Sequence, residues 1–378
     1  MEFTVDQSSF ARALRLVGRA VPAKPVVPIL QAVLLQGEYG RLSLASTDVE
    51  IGVSTSVAAE IASPGRAAIP ARLLAEYVGQ LPAEPLRLSV SGRDRAKVSC
   101  GRFTANLAGL DPDEFPVFPA ADESGVIDID AGQLGRAIER VAFAAARDNS
   151  RPILTSVLFA FGPEGLTLAA ADGLRLARVR IPEMAGSVRQ LLVPGRAVVE
   201  GGRLLQGAEA VRLILTHDGR GIYFATRDTR LFSRLVEGQY PNIDRVIPEG
   251  WRTRVRTSAA DLRQAVRVAG LFGGGEARPV LLDAARGKLT LLAKGDDTGD
   301  ARSELAAELE GDPGAVALDT RLLSDLLEAP DGPELLLSWN NPQTPVVVRG
   351  AGNAEGADLW VIMPIWDRAL AGRQAEAA

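Results

Sequence analysis

Between Phe10 and Val17 the apolar residues Phe10, Ala13, Leu14 and Val17 fall at i, i+3, i+4 and i+7, the spacing that lines one face of a helix. The pattern returns about 124 residues later as Leu134, Ala137, Ile138 and Val141, and again as Leu262, Ala265, Val266 and Ala269. Asp6 and Asp261 stand where helix starts are expected. Each helix is followed by a proline and by strand-like alternation: Pro28-Ile29-Leu30 then Val33 to Leu35, Pro152-Ile153-Leu154 then Val157 to Phe159, and Pro279-Val280-Leu281. Glycine-bearing turns lead to Leu42-Ser43-Leu44, Leu166-Thr167-Leu168 and Leu289-Thr290-Leu291, a hairpin signal in each copy. A second helix is predicted to open at Pro70-Ala71-Arg72, Pro194-Gly195-Arg196 and Asp319-Thr320-Arg321, with Pro or Asp where a helix N-terminus tolerates them. Further alternation follows at Arg87 to Ser91, Val211 to Leu215 and Pro345 to Val348. The copies close on Phe115-Pro116, Tyr240-Pro241 and Met363-Pro364, where proline limits sheet pairing.

Recurrence of helix, proline, hairpin and second helix at one offset predicts an α+β fold of three tandem domains: 1–120, 126–249 and 252–368, with a tail at 369–378. The polar stretches Pro119 to Gly125 and Pro248 to Thr253 read as connectors. The length of 378 residues agrees, since single cores stop growing near about 250 to 300 residues. Apolar residues make up 47% and charged residues 24%, a globular balance that argues against disorder. No apolar run approaches the roughly 20 residues of a membrane helix, and Met1 to Asp6 lacks a basic segment followed by an apolar one, so no membrane partner and a cytoplasmic location are expected. Cys100 and His217 are each the only residue of their type, which excludes an intrachain disulfide and any multi-thiolate metal site.

The charge total, 47 acidic against 42 basic residues, gives no reason by itself to expect a polyanion. Its distribution does. Arg12, Arg15 and Arg19 share the side of the first helix away from Phe10 and Leu14; the second copy has Arg136, Arg140 and Arg147, diluted by Glu139, and the third has Arg263 and Arg267. The second helices add Arg72, Arg196, Arg203 and Arg321. A solvated helix face explains one such pattern; recurrence in three copies points to one basic surface. If the copies close into a ring with helices inside, spaced about 10 Å apart, six helices leave a hole of roughly 9 Å and twelve leave roughly 28 Å. A duplex about 20 Å wide passes only the second.

An enzymatic reading would rest on Asp48 and Asp172, at matching positions of two copies, or on the loop Gly273-Gly274-Gly275. The loop lacks the Lys and Ser/Thr of a phosphate-binding loop, and aspartates at repeated positions more often hold turns. Neither a catalytic constellation, a metal nor a cofactor is expected.

The chain resembles the bacterial sliding clamp family, the beta subunit of DNA polymerase III, over nearly its whole length. The segments that carry this are Met1 to Val5, Leu42 to Glu50, Ile69 to Arg72, Ala171 to Ala177, Ser233 to Pro248 and Val361 to Pro364. The resemblance implies DNA-clamp domains, two helices packed on antiparallel sheets, in a head-to-tail homodimeric ring of six domains. Such a ring encircles double-stranded DNA without sequence specificity. It is loaded by an ATP-driven clamp loader, tethers the replicative DNA polymerase, and performs no chemistry. Repair polymerases, ligase and mismatch repair proteins are implied as further partners that bind by short peptides. The implied peptide pocket is Leu154, Gly173, Leu174, Arg175, Leu176, Pro241, Arg245, Val246, Val361, Met363, Pro364 and Ile365. Lys24 and Arg151 match loop positions near DNA, and Leu107, Leu271 and Phe272 fall near the dimer seam. Two departures stand out. Many members read Thr-Asp-Gly-His-Arg where this chain has Ala171-Asp172-Gly173-Leu174-Arg175, and the chain continues past Pro364 from Trp366 to Ala378, beside the pocket. Both leave open a divergent paralogue with an altered pocket, for inhibitor resistance or specialised repair.

Overall fold

The computed structural model describes residues 1–92, 95–182, 188–272, 278–295, 299–352 and 358–365. The Gly273-Gly274-Gly275 loop and the tail 366–378 lie outside the described residues. Six helices occur among those described: α1 Gln7–Val17, α2 Ala71–Gly79, α3 Ala131–Val141, α4 Gly195–Leu204, α5 Ala259–Ala269 and α6 Thr320–Leu327. All three apolar quartets are buried. Asp6 caps α1 by accepting from the Ser9 N–H at 2.8 Å, and Asp319 caps α6 by accepting from Arg321 and Leu322. The cap of α5 is Ser258, whose hydroxyl accepts from the Asp261 N–H, so Asp261 sits in the first turn.

One local expectation differs. Pro28–Gln31 and Pro152–Thr155 form short 3-10 turns, and the strands begin after them at Ala32 and Ser156. Proline fixes φ and lacks an N–H, which suits the first position of a helical turn better than a strand interior. Of the three repeated prolines, Pro279 alone opens a strand directly, at its first residue.

The chain packs as two compact units. Residues 1–135 and 199–235 form one. It holds a five-stranded sheet in the order Glu60–Ser63, Glu2–Asp6, Pro85–Ser91, Arg95–Cys100, Phe103–Ala108. Its eight-stranded sheet runs Ile127–Asp130, Ala210–Leu215, Gly221–Ala225, Thr229–Arg234, Ile51–Ala58, Arg41–Thr47, Ala32–Glu38, Gly65–Pro70. The first four strands belong to the second copy and the last four to the first. They meet where Thr229–Arg234 pairs antiparallel with Ile51–Ala58, Leu231 opposite Val53.

Residues 136–198 and 236–378 form the other unit. Its twelve-stranded sheet starts with four strands of the second copy, Arg189–Pro194, Ser156–Gly162, Gly165–Ala171 and Arg175–Ile181. The third copy continues it with Leu359–Ile362, Val346–Gly350, Glu334–Trp339, Thr253–Ser258, Gly299–Gly311, Lys288–Gly295, Pro279–Ala285 and Gly314–Asp319. The copies meet where Leu359–Ile362 pairs with Arg175–Ile181, Val361 opposite Leu176. Both joints therefore use one rule: the last strand of a copy bonds to the strand that follows the hairpin in the copy before it. Helices α5 and α6 pack together, and Trp339 and Trp360 are the largest fully buried side chains.

Candidate functional site

Most residues of the expected peptide pocket lie around the second of these joints. The turn after Gly165–Ala171 is held by Asp172, whose carboxylate accepts from the Leu174 and Arg175 N–H groups at 2.9 Å each. Gly173 takes φ 94°, a left-handed conformation that glycine adopts without a Cβ clash. Asp48 builds the matching turn in the first copy, accepting from Glu50 and Ile51, there with Val49 at φ 72°. The matching aspartates thus hold turns in both copies.

This turn pushes Leu174 outward, where its side chain is 54% exposed while its carbonyl accepts from the Met363 N–H at 2.8 Å. Two apolar clusters are built at this joint, one of Leu154, Leu158, Ala169, Leu192 and Tyr240 and one of Leu176, Val347, Leu359 and Val361; Ile243 packs against both. Gly173, Leu174, Pro241, Arg245 and Val246 are exposed, and Met363 and Pro364 are half-buried. Leu154, Leu176 and Val361 are buried. Ile365 turns elsewhere: its N–H bonds to the Ala317 carbonyl, and its side chain packs against Leu281, Ala315 and Ala317.

Arg175 is buried, with Nε 3.0 Å from Asp172, Nη1 2.9 Å from Asp325 of α6, and Nη2 donating to the Phe143 carbonyl at 2.8 Å. It also lies over the Phe143 ring. Its charge is committed to fixing the turn against α6. The Tyr240 hydroxyl accepts from the Ala171 N–H at 2.9 Å, and burial pushes its phenol up to about 12. The neutral phenol is therefore favoured by folding. Stability that is intact below pH 10 is expected to fall by about 2 to 3 kcal/mol as pH rises from 10 to 12. Urea midpoints at pH 9.5 and 11.5 check this: Tyr240→Phe should lose about 1 kcal/mol at neutral pH, from the orphaned Ala171 N–H, yet decline less at high pH.

The arginines sort into two groups. Arg12, Arg15, Lys24, Arg136, Arg147, Arg151, Arg196 and Arg267 are exposed. Arg72 is exposed beside Glu76 at 3.7 Å, and Arg19 and Arg203 share the single carboxylate of Glu200. Arg140 and Arg263 face protein instead. Arg140 pairs with Asp358 at 2.8 Å and Asp331 at 3.2 Å, donates to the Ala329 carbonyl, and lies over the Trp360 indole, whose N–H bonds back to the Arg140 carbonyl. Arg263 donates to the Leu327 and Pro330 carbonyls and stands 3.8 Å from Glu328. Sequence reading missed these partners, along with Asp325 and Tyr240. The only local signal was Tyr240 at the position of Phe115, an aromatic at the end of each of two copies.

At the expected seam, Leu107 is buried on Phe103–Ala108, the outer strand of the five-stranded sheet. Leu271 is 75% exposed and Phe272 half-buried after α5.

Two helices packed on antiparallel sheets, repeated in tandem and joined by one strand-pairing rule, define a protein of tandem clamp domains. Residues 1–119 match the family described as DNA polymerase III beta subunit, N-terminal domain; 128–242 match its central domain and 244–365 its C-terminal domain. The chain belongs to this family, the sliding clamps that confer processivity in bacterial DNA replication. It is 32% identical over 377 residues to the beta sliding clamp of Streptomyces coelicolor, covering 97% of this chain and 99% of that one. It is 31% identical over 374 residues to that of Synechococcus elongatus, again covering 97% and 99%. The solved structure of the Pseudomonas aeruginosa sliding clamp bound to griselimycin matches with a TM-score of 0.91 at 27% identity, covering 97% of this chain and 100% of that one. A clamp homolog, GriR of Streptomyces muensis, is 28% identical, below the Streptomyces coelicolor clamp, so a divergent paralogue is not favoured.

Proposed function

We propose that two copies of this chain join head to tail into a ring that encircles duplex DNA and tethers the replicative polymerase, a non-catalytic role in the cytoplasm. The observation that carries this is the joint rule. Each joint within the chain pairs the last strand of one copy with the post-hairpin strand of the copy before it. Among the described residues, one strand of each kind remains open: Phe103–Ala108 bonds on one side only, and residues 299–306 of Gly299–Gly311 bond only to Lys288–Gly295. A second chain supplies both partners, and twelve helices give the hole of roughly 28 Å.

Contacts to DNA in such a ring are electrostatic and permit sliding. The clamp loader, replicative and repair polymerases, ligase and mismatch repair proteins would dock by short peptides on the pocket under Leu174, where apolar anchors dominate as at peptide hot spots. Loading on a nicked circular plasmid followed by linearisation tests the ring: release on cutting is expected, and retention would overturn the reading. Arg12→Glu, Arg136→Glu and Arg267→Glu together should weaken loading and flatten its salt dependence, the slope of log affinity against log salt falling by roughly 0.9 for every phosphate that no longer meets a cation. Arg140 and Arg263 are left intact because their guanidinium groups hold protein carbonyls.

A further inference from the structure

On the eight-stranded sheet, where the first copy meets the second, a cleft of about 430 Å³ is lined by Arg41 of the first copy and by Arg212, Arg227 and Arg230 of the second. The turn from Thr226 to Thr229 is docked on the strand Ile51–Ala58: the Asp228 carbonyl accepts from the Ser56 N–H at 3.0 Å, and its carboxylate accepts from Arg41 at 2.5 Å. Arg212 and Arg230 share one carboxylate, that of Glu123, at 3.7 and 3.5 Å. Arg227 is exposed, and its side chain has no hydrogen-bond or ion-pair partner among the described residues. Four guanidinium groups thus face two carboxylates. The second joint lacks this surplus at the matching positions. The offset that carries Asp48 onto Asp172 carries Ser54 and Ser56 onto Arg178 and Arg180, which meet Asp244 at 3.0 Å and Glu164 at 2.6 Å. Serines at these places in the first joint leave room above the sheet, and Ser43 adds a third hydroxyl to the lining.

We propose that this cleft binds an oligophosphate, a short chain of linked phosphoryl groups such as pyrophosphate, triphosphate or the phosphate tail of a nucleotide. Guanidinium forks match phosphoryl oxygens two at a time, and serine and threonine hydroxyls donate to the oxygens between them. The lining holds no aliphatic side chain of Val, Leu, Ile or Met and no aromatic ring. It therefore offers neither an anchor pocket for a peptide nor a stacking platform for the bases of a single strand. Arg41 belongs to the first copy and the other three arginines to the second, so the bound anion ties the two copies together across their joint.

Calorimetric titration of the full-length protein with sodium tripolyphosphate, at low salt and without magnesium, tests this. Saturable binding at one site per chain is expected. Arg227→Gln with Arg230→Gln should weaken it roughly tenfold or more, through the loss of two charge-assisted contacts. Arg286→Gln with Lys294→Gln removes the same charge from exposed positions of the third copy and should change affinity by less than about twofold. All four side chains are exposed, so both double variants should keep the melting temperature of the parent. ATP should displace tripolyphosphate and adenosine should not; tighter binding of ATP assigns the cleft to nucleotides, and tighter binding of tripolyphosphate assigns it to inorganic chains. Absence of saturable binding overturns the proposal, as do displacement by adenosine, unchanged binding in the first double variant and equal weakening in both. A single-stranded oligonucleotide that outcompetes tripolyphosphate, with the same sensitivity to Arg227 and Arg230, would make the cleft a strand-binding groove and overturn it as well.

Discussion

Asn106→Pro is expected to convert the native dimer into a folded monomer and to abolish retention on circular DNA. The strand Phe103–Ala108 is joined to Arg95–Cys100 by a two-residue turn, with Gly101 at φ 51° and Cys100 opposite Phe103. Such a hairpin closes on a hydrogen-bonded pair, so bonded and non-bonded pairs alternate from there. Thr104 and Asn106 fall in the non-bonded positions and send their N–H groups to the open side. Proline at 106 deletes one of those donors and puts a ring where a partner strand must approach, while bonds to Arg95–Cys100 remain. Native mass at micromolar concentration should fall from twice the chain mass to one chain, with the far-ultraviolet circular dichroism retained. A variant that stays dimeric would show that this edge is not the seam. Leu107 is a poorer probe because it is buried within its own protomer, so its replacement would confound unfolding with dissociation.

The same contrast between local and distant information decides what the chain disclosed before folding. Phe10, Ala13, Leu14 and Val17 announce α1 because helical burial repeats within a few residues, and Asp6 and Asp172 announce a cap and a turn because their acceptors reach neighbouring N–H groups. Pro28 and Pro152 misled because an apolar run of three residues suits a 3-10 turn as well as a strand. Arg140 and Arg12 hold similar outward positions in a periodicity plot. Only the fold reveals that Asp358, Asp331 and Trp360, about two hundred positions away, meet one of them. The strand pairing between copies was equally hidden, since each partner lies more than a hundred residues off. Its consequence is that the compact units cut through the second copy, whose two sheets each continue a neighbour's.

Arg175→Ala is expected to cost about 2 to 3 kcal/mol of stability and to lower Tm by roughly 5 to 10 °C. The guanidinium links the Asp172 turn to α6 through Asp325 and to the Phe143 carbonyl, so its removal deletes three charge-assisted hydrogen bonds at once. Removing one member of a fully buried pair costs about 3 to 5 kcal/mol, because the remaining charge stays desolvated. Here Asp325 is half exposed and water can reach it, which sets the lower figure. Asp325→Asn should accordingly cost about 1 kcal/mol or less. Arg175→Lys should not restore the loss, since an ammonium cannot fork between two carboxylates and a carbonyl in one plane. Peptide affinity should fall with stability in the alanine variant, because the turn that presents Leu174 loses its brace while the neighbouring apolar cluster of Leu176 and Val361 is untouched. Calorimetric scans of the three variants, with peptide titrations run well below each Tm, separate the two effects. An alanine variant within about 0.5 kcal/mol of the parent would place the brace elsewhere, in the Asp172 hydrogen bonds to the backbone alone.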